Sequence, residues 1–437
     1  MSNNDIFIFL LIITFSKQEL RIPFKRHYNE DLSLINPKEF IPKIHQSNIE
    51  VILELGSNNQ KIPFYLRFDQ YSFFTSGNEA QIDKNLIKFN EKLSSSYKNY
   101  STKISFFYQH FLNGYKSNDI VTFNNKKSIN MNFILASEIN IIYNESGVIG
   151  FKNYDNMNDE MIKDYSFISQ LKELNIINSF NFVFKFLDKN KGEIIIGEKP
   201  DEYDSKYNFE KYISVKALVS EDKQIFWGFS FNKISQILKN GKTNVIKDSK
   251  LLYLKIEIDG IIGPNEYEDL LLNDFNKLIN EGKCFKENTN SYRYYYCNNN
   301  VNMDFIGNLQ FEHLDLKTNF TFNKEELIFK SKDGFQHFMV VFQNDIKNIN
   351  WVFGKLFLEK YLLVFNLESK TIGYYIKSEK GISKSLIFII FLILIIIFLG
   401  ILLYYFIKKI PRKKRIYELE NNYDYITQDK TQHLFRS

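Results

Sequence analysis

Apolar and polar residues alternate with a period of two along much of the chain. Phe180, Phe182, Phe184 and Phe186 take every second place in Ser179–Phe186, and Ile225, Trp227, Phe229 and Phe231 repeat the pattern. Val51, Leu53 and Leu55 alternate just ahead of Gly56, and 191–197 is a short apolar run closed by glycine. A period of two puts one set of side chains on one face, so these segments read as strands. Helical periodicity is scarce, and Tyr267–Leu278 carries it most clearly. Many short strands with few helices predict an all-β architecture.

Two apolar runs lack this alternation. Ile6–Phe15 is too short to span a bilayer and has the length of a signal-peptide core, which makes residues 1–16 the expected leader. Leu386–Ile407 runs for 22 residues without a charge. As a helix it would extend roughly 33 Å, enough for a hydrocarbon core of ~30 Å. Tyr404 and Tyr405 lie near one end, and Lys408, Lys409, Arg412, Lys413, Lys414 and Arg415 follow at once. Basic residues stay on the cytosolic side, so a single-pass type I topology is expected. Residues 17–381 would be lumenal or extracellular, with a cytosolic basic tail over 408–437. Asn99, Asn144 and Asn319 each open an acceptor sequon, and all three fall on the lumenal side. The expected location is the secretory or endolysosomal pathway or the cell surface.

Of the 437 residues, 44% are hydrophobic and 24% charged, the balance of a folded protein. The net charge of +5 is concentrated in the tail, where eight Lys or Arg face four Asp or Glu. The remainder is close to neutral and offers no electrostatic case for nucleic acid. Cys284 and Cys297 are the only cysteines. In a secreted chain such a pair reads as a disulfide, with Cα atoms about 5.5–6 Å apart and roughly 3 kcal/mol of stabilisation. No metal knuckle, nucleotide loop, zincin motif or serine elbow occurs, so neither a metal nor a cofactor is expected.

The segment Asn350-Trp-Val-Phe-Gly-Lys-Leu-Phe-Leu-Glu-Lys-Tyr-Leu-Leu-Val-Phe-Asn366 resembles a C-terminal stretch of the pepsin-like aspartic peptidases. Thr371-Ile-Gly-Tyr-Tyr375 matches that family's closing strand. Ser146–Phe151, Gln170–Phe180, Gly192–Gly197 and Ile225–Phe231 resemble further landmarks in the family's order. Arg21-Ile-Pro-Phe-Lys-Arg26 resembles the start of its inhibitory pro-segment. The resemblance implies a bilobal pepsin-like fold: a pro-segment-like stretch over 17–45, an N-terminal β lobe over 46–214 and a C-terminal β lobe over 215–381. The transmembrane helix at 386–407 would follow.

The family's chemistry uses two aspartates, one per lobe, each in Asp-Thr/Ser-Gly, sharing one proton. In Leu66-Arg-Phe-Asp-Gln-Tyr-Ser72, Asp69 takes the first aspartate's place, while Gln70 and Tyr71 replace Thr and Gly. Counting back from Gly263-Pro264 without gaps puts the second on Lys255; a gap of four residues offers Asp259 instead. Lys255, Glu257 and Asp259 also alternate with Leu254, Ile256 and Ile258, as on a solvated strand face. Tyr108 matches the tyrosine of the family's flap, with Gln109 and Phe111 in place of glycines. The resemblance therefore implies a membrane-anchored homologue with a damaged catalytic centre, binding a peptide or protein ligand by strand addition. The alternatives are a working acid endopeptidase using Asp69 and Asp259, and a structural or adhesion protein that uses the fold as a scaffold.

Overall fold

A computed structural model describes residues 19–27, 38–39, 48–80, 86–108, 110–124, 127–139, 145–152, 160–219, 225–248, 250–332, 334–344, 350–376, 391–406 and 408. Two compact units are present, Met1–Ile376 and Lys377–Ser437. The first unit's described residues are mostly strand with few helices, as the alternating pattern predicts. Asn181–Phe186 and Lys191–Ile196 pair in antiparallel fashion, and the helix expected at Tyr267–Leu278 runs over Asn265–Asn280.

A 13-stranded sheet draws on both halves of this unit. Leu363–Asn366 from near the chain's end pairs with Asn181–Phe186, and Thr371–Tyr375 pairs with Tyr212–Lys216. The pro-segment-like stretch enters the same sheet. Leu20–His27 lies between Lys191–Ile196 and Asn48–Leu55, paired antiparallel to both. Its alternate residues Leu20, Ile22 and Phe24 are buried, which explains why Arg21-Ile-Pro-Phe-Lys-Arg26 forms a strand rather than a loop.

Below this sheet Phe68, Phe182, Phe184 and Phe365 meet Trp227 in one aromatic cluster. Phe182 stacks on Phe365 at 5.0 Å, and Phe365 meets Phe68 at 5.2 Å and Trp227 at 5.1 Å, edge to face. Burying each such ring is worth about 1.5–3 kcal/mol. The cluster joins residues from the two halves and includes Phe68, the residue before Asp69.

A four-strand arrangement occurs twice. In the first half Gln60–Arg67 runs parallel to Gly147–Gly150, which is antiparallel to Phe73–Ser76, itself parallel to Ser128–Ile139. In the second half Leu251–Leu254 runs parallel to Trp351–Phe353, which is antiparallel to Ile261–Gly263, itself parallel to Val340–Gln343. The registers agree. Leu66 and Phe73 both face Ile149, and Leu254 and Ile261 both face Phe353.

Cys284 and Cys297 form a disulfide. Their Cα atoms are 3.9 Å apart, closer than the 5.5–6 Å expected. The reason is that the two cysteines stand directly opposite on adjacent antiparallel strands, where facing Cα atoms approach to ~4.5 Å.

Residues 391–406 form a helix with every side chain exposed. Among the described residues no helix is long and apolar enough to cross a membrane. Residues 386–390 and 407 of the expected span lie outside the described residues, as do the leader at 1–16 and the tail from 409 onward.

Candidate active site

The two repeats each enclose a six-residue loop, 67–72 between Leu66 and Phe73 and 255–260 between Leu254 and Ile261. A glycine packs against each. Gly150 donates to Ser72 O at 3.2 Å and Gly354 to Gly260 O at 3.0 Å, equivalent bonds on the two loops. A Cβ on Gly150 would lie 2.3 Å from Gln70 O, and one on Gly354 would lie 2.0 Å from Ile258 O. Only glycine permits this approach.

The third residue of the first loop is Asp69, and the third of the second is Glu257. The structure brings them together. Glu257 Oε1 accepts from the Phe68 N–H at 2.5 Å and from the Asp69 N–H at 3.4 Å. Asp69 Oδ1 and Glu257 Oε2 are both buried and have no hydrogen-bond partner among the described residues. Burial, reinforced by the negative charge of Asp69, raises the Glu257 carboxyl above its ordinary range, against the pull of Arg67. Arg67 is itself buried, its guanidinium 2.5 Å from Glu145 Oε1. Burial pushes the Glu145 carboxyl up to about 7, although Arg67 draws it down.

Lys255, where ungapped counting places the second aspartate, is the first residue of its loop and the counterpart of Arg67. Its side chain is exposed. The count fails because it assumes two more residues between motif and Gly263 than this loop contains. Asp259, the other expected partner, matches Tyr71 and is turned away into a buried ion cluster. Asp259 Oδ1 lies 2.8 Å from Arg26 Nη2 and 3.0 Å from Lys355 Nζ. Lys355 also donates to Ile256 O at 2.8 Å, and Arg26 reaches Glu359 at 3.3 Å. Burial lowers the Lys355 ammonium to about 8, with Asp259 opposing that drop and Arg26 assisting it. Residues 255–260 are thus a loop with an inward-facing Asp259, not a solvated strand face.

A cavity of about 300 Å³ opens beside Asp69. Lys152 and Lys255 line it, with Phe226, Trp227, Tyr253 and Val352 among its walls. Glu257 is not among its lining residues. Trp227 Nε1 donates to Phe151 O at 2.7 Å, pinning one wall to the first half. The Lys152 N–H donates to Gln70 O at 2.8 Å, tying that residue to the Asp69 loop.

The family model for eukaryotic aspartyl protease matches residues 46–375. The chain belongs to that family. No curated protein matches it.

Within the family frame, strand register makes Asp69-Gln70-Tyr71 and Glu257-Ile258-Asp259 equivalent, and these are the candidate site segments. Glu257 escaped the sequence reading, although a signal was present. Leu66-Arg-Phe-Asp69 and Leu254-Lys-Ile-Glu257 share the order apolar, basic, apolar, acidic. Tyr108 ends the strand Lys98–Tyr108, opposite His110 across a hairpin, while the side chains of 106–112 lie outside the described residues. Asn99 and Asn319 are exposed, and Asn144 lies outside the described residues. Among the described residues no group of His, Cys, Asp and Glu is arranged to hold a metal.

Proposed function

We propose that this family member holds an extended peptide or protein segment in its cleft and does not hydrolyse it efficiently. One observation carries the reading: the cavity beside Asp69 is lined by two lysines, Lys152 and Lys255, and not by a second carboxylate. Peptide hydrolysis by a carboxylate pair needs both groups to face one water and share one proton. Here Glu257 spends Oε1 on the backbone of Phe68 and Asp69. Gln70 and Tyr71, with Ile258 and Asp259, stand where the family has Thr/Ser and Gly. The test uses the purified full-length protein with a denatured protein substrate between pH 3 and 6, and labelled peptides for binding. Peptide binding without cleavage is expected. Digestion that Asp69→Asn abolishes would overturn the reading.

A second reading, an acid endopeptidase, draws support from Glu257 itself. It stands at the position equivalent to Asp69, and its carboxyl is biased toward the protonated form a general acid needs. Under that reading Asp69→Asn and Glu257→Gln each abolish cleavage, whereas Lys255→Gln does not.

We further propose a type I membrane topology, with a leader at 1–16, a span at 386–407 and a cytosolic tail. Supporting it are the charge-free run at 386–407, the basic residues after it and the exposed sequon asparagines Asn99 and Asn319. Glycosidase treatment of the protein from its native cell should lower its mass. An unchanged mass, with 408–437 cut by external protease on intact cells, would reverse the orientation.

A further inference from the structure

We infer that the cleft selects a peptide carrying an acidic side chain beside an aromatic one, with Lys255 as the residue that reads the acid. This rests on the peptide-binding reading above. The argument begins with the repeat. Arg67 and Lys255 are the first residues of equivalent loops, so the fold places a cation at the same point in both halves. In the first half that cation is satisfied internally, because Arg67 holds the buried Glu145 at 2.5 Å. Glu145 lies three residues before Val148, which faces Tyr65 in the strand pairing. No described residue of the second half plays the part of Glu145 for Lys255. Lys255 is exposed, lines the cavity and has no ion-pair partner among the described residues. An external carboxylate would complete in the second half the pairing that Glu145 completes in the first.

The rest of the cavity narrows the ligand. Lys152 brings a second positive charge to the lining. Phe226 and Tyr253 meet edge to face at 5.6 Å, and with Trp227 they present an apolar, aromatic wall. A volume of about 300 Å³ suits a few side chains rather than a folded partner. Asp69 supplies the opposing charge, and it should weaken an acidic ligand rather than help it. That sign separates this proposal from a cleft in which Asp69 is the anchor.

The test is fluorescence anisotropy with the full-length protein and labelled nine-residue peptides. The peptides carry Phe beside a central Glu, Gln or Lys and are compared at low ionic strength and pH 6. The Glu peptide is expected to bind about tenfold tighter than the Gln peptide, as a charge-assisted contact implies. Lys255→Gln should erase that preference, Lys255→Arg should keep it, and Asp69→Asn should tighten the Glu peptide several-fold. Equal binding of the Glu and Gln peptides, or a preference that survives Lys255→Gln, would overturn the inference and leave the peptide-binding reading intact. Binding of none of the peptides would overturn both.

Discussion

Asp259 sits between two cations, and replacing it with asparagine tests whether the N-terminal strand and the second loop are held as one structure. The substitution keeps the shape and removes the charge. Arg26 and Lys355, whose side chains are 7% and 0% exposed, would then lose the carboxylate they share, leaving Arg26 with Glu359 at 3.3 Å. Breaking a buried ion pair by removing one partner costs about 3–5 kcal/mol. Lys355 can relieve part of this by losing its proton, since burial already brings it to about 8. Its folded value lies below the ordinary 10.5, so the unfolded chain binds the extra proton between pH 8 and 10.5, and stability rises with pH across that window. Without Asp259 the folded value falls further and the window extends below pH 8. For a unit the size of Met1–Ile376 the entropy of unfolding near 60 °C is about 0.8 kcal/mol/K, taking ~2.1 cal/mol/K per residue. Asp259→Asn should therefore lower the thermal midpoint by about 4–6 °C at pH 6 and by less at pH 9. Differential scanning fluorimetry at the two pH values reads both effects, with the exposed Asp188→Asn as control. A drop no larger than the control's, or one independent of pH, would refute the clamp.

Other expectations follow from the same structure. Replacing both cysteines with alanine should cost about 3 kcal/mol, because the disulfide closes a short loop; urea denaturation measures it, and alkylation of the denatured, non-reduced protein should find no thiol. Glu145 should favour folding in acid: its folded value of about 7 lies above the ordinary 4.5, so its contribution is full below pH 4.5 and gone once pH has risen through 7. Melting midpoints should accordingly fall between pH 5 and 7.5, with a smaller fall in Glu145→Gln; an unchanged slope in that variant would exclude Glu145 as the source. Gly354→Ala should destabilise strongly, by several kcal/mol, since its Cβ would stand 2.0 Å from Ile258 O; a midpoint within 1–2 °C of the parent would contradict the loop geometry.

The strand content was legible because buried positions alternate, as in Leu20, Ile22 and Phe24 or Ile194 and Ile196. So were the helix after Gly263-Pro264 and the disulfide. Asp69 was found through its neighbours Leu66–Phe68. Glu257 was not, because ungapped counting presumes a loop length and this loop is two residues shorter than the count requires. Period-two alternation at 254–259 misled for a related reason. A tight loop can turn alternate side chains in different directions, and here Lys255 faces solvent while Asp259 is buried against Arg26. Nothing local announces that pairing, since Arg26 and Asp259 are separated by 233 positions. Register between strands, not residue spacing, is what equates Asp69 with Glu257.

The placement of Leu20–His27 has a consequence for biosynthesis. This strand leaves the ribosome long before the partners of its ion cluster, because Arg26 bonds to Asp259 and Glu359, 233 and 333 positions further along. At synthesis rates of roughly 5–20 residues per second, Arg26 waits about 15–70 s for Glu359 to be made. Its strand neighbour Lys191–Ile196 arrives sooner, but the ion cluster cannot close until Glu359 has been made. Asn48–Leu55 can cover one edge soon after synthesis, but the other edge stays unpaired on the nascent chain until Lys191–Ile196 is made, a form prone to wrong pairing. This interior strand of the sheet is thus made before both of its neighbours and is among the last secured, and its folding should depend on chaperones acting while translation is still under way.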